Sequence, residues 1–178
     1  MGRNTGGVPQ ERGLTLVELV VTIAIAAILM AIAMPSFSTF LVNSRVKSAA
    51  GRLQQDLQWA RAEAIKENQV VTVNLTGTLS AAAPACSWAV VASASSQAPQ
   101  ENQVAFQRDY PQVGCKVSGN TLCFSPIGNL MGGGGCNLGG TYTYADSSIP
   151  ATNTWLVIVS AGGRIISCLQ GNIAGQCR

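Results

Sequence analysis

The chain has 178 residues, of which 47% are hydrophobic and only 11% charged, with a net charge of +3. That length suits one domain of ordinary size plus a membrane segment, and the charge is too small to assign a nucleic-acid or acidic partner by itself. There is no histidine, which removes the commonest general base and the commonest metal ligand and weighs against a hydrolase or a zinc site.

The first element is the apolar run from Leu14 to Ala33, preceded by Arg3 and Arg12. As a helix this run is about 30 Å long, the thickness of a bilayer core. The basic residues before it leave the N-terminus in the cytoplasm and the rest of the chain outside it. Secretory signals have a shorter apolar core and end in a cleavage site of small residues. Small residues are present in "AIAAILMAIAMPSF", but a helical pattern resumes beyond Pro35. Val46, Ala49, Leu53, Leu57, Ala60 and Ala64 recur at steps of three and four, which makes one face of a helix. Arg52 and Asp56 form an i,i+4 pair outside that face. The pattern predicts one helix from about Leu16 to Glu67, roughly 75 Å long, with Pro35 as a place for a kink. Glu18 is the anomaly. A carboxylate in a membrane segment costs on the order of 2.5–3.5 kcal/mol and calls for a partner, unless it stays wet one turn inside the interface.

These residues resemble the type IV prepilin family. The motif is Gly13 followed by Leu14-Thr15-Leu16-Val17-Glu18, with Arg12 just upstream. The resemblance implies that a membrane-embedded prepilin peptidase cuts between Gly13 and Leu14 and that Leu14 becomes the N-methylated first residue. Residues 1–13 are then a leader, 14–34 the transmembrane and filament-core helix, and 35–68 the amphipathic half of that helix. Glu18 and Pro35 fall at the fifth and twenty-second mature positions, where the family has them, and are the candidate assembly residues. Leu14 departs from the phenylalanine most common at the first position. The new amino terminus, four residues from Glu18 or on a neighbouring chain, would be the partner the carboxylate needs.

Past Glu67 the sequence turns to strands. "QVVTVNLTG" (69–77) alternates and is β-branched; "CSWAVVAS" (86–93) and "NQVAFQRD" (102–109) are further candidates. "CKVSGNTLCFSPIGNL" (115–130) predicts a hairpin turning at Gly119-Asn120. "TYTYA" (141–145) and "TWLVIVSAGGRIISC" (154–168), with a turn at Gly162-Gly163, complete the set. "LMGGGGCNLGGT" lacks the Gly-Lys-Ser/Thr of a phosphate-binding loop and reads as a flexible turn. The class is α+β: a long N-terminal helix packed on an antiparallel β-sheet head, residues 69–178. All six cysteines lie between Cys86 and Cys177, beyond the anchor. Even number and an oxidising compartment point to disulfides. Of the 15 connectivities, proximity in the sequence favours Cys115–Cys123 and Cys168–Cys177, leaving Cys86–Cys136.

"WARAEAIKENQVVTV" (59–73), "FSPIGN" (124–129) and "VIVSAGGRI" (157–165) resemble the FimT/FimU/GspH group of minor pilins and pseudopilins. The resemblance implies the type IV pilin fold, no enzymatic activity and no cofactor. It implies an inner-membrane protein with a periplasmic head that passes into a filament. Its partners would be the prepilin peptidase and other major and minor pilins or pseudopilins. The first role implied is a minor subunit that helps initiate or cap a type IV pilus; the alternative is a minor pseudopilin of a type II secretion system. A second class of function is capture of double-stranded DNA, for which the FimT pattern is Gly-Arg-x-Arg. Here only Gly163-Arg164 matches, since Ile166 replaces the second arginine. Arg164, Lys116, Arg108 and Arg178 are the candidate phosphate contacts. A third class, a tethered enzyme, has only Glu101, Asp109 and Asp146 as carboxylates beyond the helix, and no nucleophile–base pair.

Overall fold

The computed structural model describes residues 15–80, 82–92, 98–147 and 154–170, apart from the side chains of residues 33–36. It divides into two units, one ending at Phe40 and the other beginning at Leu41. Helix α1 runs from Leu16 to Glu67, the bounds the periodicity predicts, and its helical backbone continues through Pro35. It stops where Asn68 takes a left-handed φ of 53° and Gln69 N–H donates to the Ala64 carbonyl at 3.2 Å. That is a Schellman-type C-cap, with asparagine in the place glycine usually fills.

In the first unit the apolar side chains of α1 face no core, and Ile23, Ile28 and Leu29 are more than half exposed. Among the described residues no single helix is long and apolar enough to cross a membrane; Leu16–Ile32 and Phe37–Glu67 meet that length and composition only together. In the second unit Val46, Ala49, Ala50, Leu53, Leu57, Ala60 and Ala64 are buried to 1% exposure or less. This is the predicted stripe, with Ala50 added, and each buried leucine contributes about 1.5–3 kcal/mol.

The rest of the second unit is two antiparallel sheets. Strands β1 (Val71–Thr78), β2 (Ala85–Val91), β3 (Gln100–Glu101) and β5 (Thr121–Phe124) form one sheet, in the order β3-β2-β1-β5. Strands β4 (Val113–Ser118), β6 (Gly140–Asp146), β7 (Trp155–Val159) and β8 (Ile165–Leu169) form the other, in the order β4-β6-β7-β8. The alternation of β1 puts Val71, Val73 and Leu75 in the core, beside Phe124, Tyr142, Tyr144 and Val157.

Two expected elements are corrected. Residues 102–109 do not form a strand: Gln103–Asp109 is helix α2, capped by Asn102, whose Oδ1 accepts from Ala105 N–H at 2.8 Å. The alternation of Val104 and Phe106 misleads, because only Phe106 is buried and Val104 is exposed. Nor do β4 and β5 form a hairpin. Gly119, at φ +90°, reverses the chain, but the two arms enter different sheets. The Asn120 carbonyl accepts from Leu75 N–H at 2.7 Å, which delivers β5 to β1, while the Tyr142 hydroxyl donates to the Gly119 carbonyl at 3.1 Å on the β6 side. A tight turn sets a change of direction; it does not oblige its arms to pair.

The disulfides follow from that topology. Cys86 bonds Cys115, and Cys123 bonds Cys136, in place of Cys115–Cys123 and Cys86–Cys136. Cys115 is level with Tyr144 of β6 and Cys123 with Thr72 of β1, so the two flanks of the turn face different neighbours. Cα separations of 5.4 and 5.6 Å suit the bridges that do form. Gly77 is the residue paired with Cys86, and a Cβ there would lie 2.5 Å from the Cys115 carbonyl oxygen. Glycine at 77 thus admits β4 across the first sheet. Cys168 is also disulfide-bonded, and its expected partner Cys177 lies outside the described residues. The Gly-rich loop is fastened rather than free: Met131 N–H donates to the Cys123 carbonyl and Asn137 N–H to the Thr121 carbonyl, both at 2.9 Å.

Candidate functional site: the helix start and the motif junction

Gly13 and Leu14 lie outside the described residues, as does the side chain of Pro35. Glu18 is described, in the first turn of α1, and it is exposed. The Thr15 hydroxyl oxygen accepts from Glu18 N–H at 3.2 Å. Thr15 is therefore the N-cap and Glu18 the third helical residue, the Thr-x-x-Glu spacing of a capping box. A carboxylate there also meets the positive end of the helix dipole. Glu18 thus has a local stabilising role in addition to any partner charge, and the sequence carried that signal in Thr15.

The three head motifs converge on one spot. Arg61, from the first motif, donates from Nε to the Gly128 carbonyl of the second at 2.9 Å. Gly163, from the third, stands so close that a Cβ on it would collide with that same carbonyl oxygen, and its φ is +74°. Leu130 N–H donates to the Ala161 carbonyl at 2.9 Å, joining the Phe124–Asn129 turn to the β7–β8 turn. Arg61 and Gly128, 67 residues apart in sequence, are held here by a part-buried arginine hydrogen bond, and Gly128 and Gly163 meet because neither carries a side chain. The arrangement is a structural lock, with no nucleophile or base in it.

A second polar cluster was only half legible. Arg52 Nε pairs with Asp56 at 3.5 Å, as the spacing implied, and with Glu101 at 3.9 Å. Trp88 Nε1–H donates to Asp56 at 2.8 Å. Burial raises the Glu101 carboxyl above its ordinary value, partly offset by Arg52. The cluster ties α1 to β2 and β3. Trp88 and Glu101 carry no sequence signal for it, because their approach depends on the fold.

The candidate DNA contacts are dispersed. Arg164 is exposed at the β7–β8 turn and Lys116 is exposed on β4. Lys116, Thr143, Leu156 and Cys168 form one cross-strand row, and Arg164 stands four residues beyond its end. Strand spacing and rise put the two cations about 20 Å apart. Arg108 lies on α2 and donates to Asp109 at 2.9 Å. Arg178 lies outside the described residues. Among the described residues no group of acidic, cysteine or histidine side chains could hold a metal ion.

Known proteins match at both ends of this description. The family described as type II transport protein GspH matches residues 49–163, and the prokaryotic N-terminal methylation motif matches residues 9–34. A search of curated proteins finds no match. The crystal structure of the type IV minor pilin FimU from Pseudomonas aeruginosa superposes with a TM-score of 0.51 at 20% identity, over 78% of this chain and 99% of that one. The minor pseudopilin EpsH from the type 2 secretion system of Vibrio cholerae does so with a TM-score of 0.51 at 12% identity, over 72% of this chain and 99% of that one. At these identities the likeness is one of fold: a helix on antiparallel sheets.

Proposed function

The chain belongs to the GspH family, and from that membership we propose that it is a minor pilin subunit of a type IV pilus that helps to initiate or cap the filament. The observation that carries this reading is the pairing of a methylation motif over residues 9–34 with a family head over residues 49–163. In the proposed sequence of events the prepilin peptidase removes residues 1–13 after Gly13 and Leu14 is N-methylated. Residues 14–34 hold the protein in the inner membrane with residues 69–178 in the periplasm. The exposed apolar helix then leaves lipid for the helices of neighbouring subunits. Glu18 favours that transfer, because in the bundle it meets a positive amino terminus, whereas in lipid it is costly. A deletion strain loses surface pili, and restoring the intact gene returns them.

The EpsH fold likeness supports a second reading, a minor pseudopilin of a type II secretion system. In that case the deletion blocks secretion and leaves pili in place. DNA capture has less support, because Lys116 and Arg164 stand far apart and Arg108 is paired with Asp109. Few phosphate contacts give weak, salt-sensitive binding. A gel shift at low salt that Arg164→Ala abolishes is the result this reading requires.

A further inference from the structure

We propose that the Cys123–Cys136 disulfide is a redox clasp: a dithiol reductant opens it ahead of Cys86–Cys115, and its opening frees the Gly-rich segment from the edge of β5 while the rest of the head stays folded. The two bridges differ in their surroundings. Cys86 and Cys115 are 2% and 1% exposed, and their bond joins one sheet to the other. Cys123 is buried to the same degree as Cys86. Its partner Cys136 is only half-buried and follows the exposed residues 131–135. One end of this bridge therefore faces outward, and neither end of the other does.

The segment that carries Cys136 depends on the bridge. β5 is the last strand of its sheet, and this segment lies along its outer edge, with Leu130 bridged to Phe124 and Asn137 to Leu122. Met131 N–H donates to the Cys123 carbonyl, and the Asn137 backbone N–H and side-chain Nδ2–H both donate to the Thr121 carbonyl. Between those bonds the chain is unsupported. Gly133, Gly134 and Gly135 take φ of 93°, 63° and 90°, and a Cβ on any of them would meet nothing within 4 Å. Such a glycine run loses more freedom on ordering than any other sequence. The disulfide spans a sequence separation of 13 and offsets that loss by holding the tip of the segment against β5. Once it is open, the entropy of the glycines favours release.

The chemistry has a direction. A thiolate of the reductant bonds to Cys136 Sγ, the Cys123–Cys136 bond breaks, and the electron pair leaves on Cys123 Sγ. Thr72 stands opposite Cys123 in the β1–β5 register, and its hydroxyl donates to that sulfur at 3.9 Å, which stabilises the departing thiolate. The second thiolate of the reductant then attacks its own sulfur in the mixed disulfide and releases Cys136. The two cysteines take up the two protons that the reductant's thiols gave up. The chain thus gains two electrons and two protons, and the dithiol becomes a disulfide.

The test treats the detergent-solubilised full-length chain with dithiothreitol without denaturant, quenches by alkylation at intervals, and reads the labelled cysteines by mass spectrometry. Cys123 and Cys136 should be labelled at least about tenfold sooner than Cys86 and Cys115. Thr72→Val should slow that labelling severalfold, and Thr72→Ser should leave it unchanged. Hydrogen exchange on the chain reduced at this bridge alone should be faster at Met131 and Asn137 and unchanged in β1 and β2. Labelling of all four cysteines at one rate, or of Cys86 and Cys115 first, overturns the proposal. So does a reduced clasp whose Met131 and Asn137 amides stay as protected as in the oxidised chain. A Thr72→Val rate equal to the wild-type rate overturns the attack at Cys136 as written.

Discussion

Residues 16–40 and residues 41–67 share one run of helical hydrogen bonds but differ completely in burial. In the second stretch the apolar residues fall three and four apart and their stripe is covered by two sheets. In the first they occupy every side of the helix, and those described are exposed. The difference teaches that hydrophobic content identifies a segment needing cover, whereas periodicity identifies what kind of cover it gets. A stripe fits a sheet; a helix apolar all round fits lipid or other helices.

The largest effect expected on this contrast comes from Glu18→Ala. It should leave cleavage at Gly13 intact and abolish recovery of the chain in sheared filaments, because the first stretch no longer prefers the bundle over lipid. Immunoblots of membrane and filament fractions measure both. Next, Leu57→Ala should destabilise the head by about 2–5 kcal/mol, whereas Leu29→Ala on the same helix should change head unfolding by no more than about 0.5 kcal/mol. Urea unfolding of the detergent-solubilised chain, followed by tryptophan fluorescence, compares them. Equal losses would break the distinction. Replacing both Cys86 and Cys115 by serine should cost about 2–4 kcal/mol, since the bridge closes a sequence separation of 29 residues across the two sheets.

The smallest effect concerns Glu101. Its folded carboxyl lies above the ordinary value of 4.5, with burial as the first cause. A raised carboxyl contributes stability that is present below the unfolded value and is lost as pH rises through the folded one. Head stability should therefore decline slightly as pH rises from 4.5, and Glu101→Gln should flatten that decline. Thermal melts of the two proteins across this range would show it.

Much of this was legible in the residues. The bounds of α1 and its buried stripe follow from spacing, and the β7–β8 turn follows from Gly162-Gly163. Thr15 and Glu18 show the helix start once read as a cap. The misses share one cause: they depend on which strand lies beside which. Gly119-Asn120 announces a turn but not that β4 and β5 part company, and the cysteine pairs were lost with that hairpin. Asn102, a good cap, was outweighed by an alternation two residues long. The Arg61–Gly128–Gly163 junction was visible as three separate motifs, and only the fold shows that they are one feature.

The central proposal is that residues 14–34 begin in lipid, gain a new amino terminus on cleavage after Gly13, and end among neighbouring helices. Mass spectrometry of the N-terminal peptide, taken from the membrane fraction and from sheared filaments, tests it most directly. The account predicts a chain beginning at N-methylated Leu14 in both fractions. A chain that keeps residues 1–13, or that is cut at the small residues near Ala33, would contradict it.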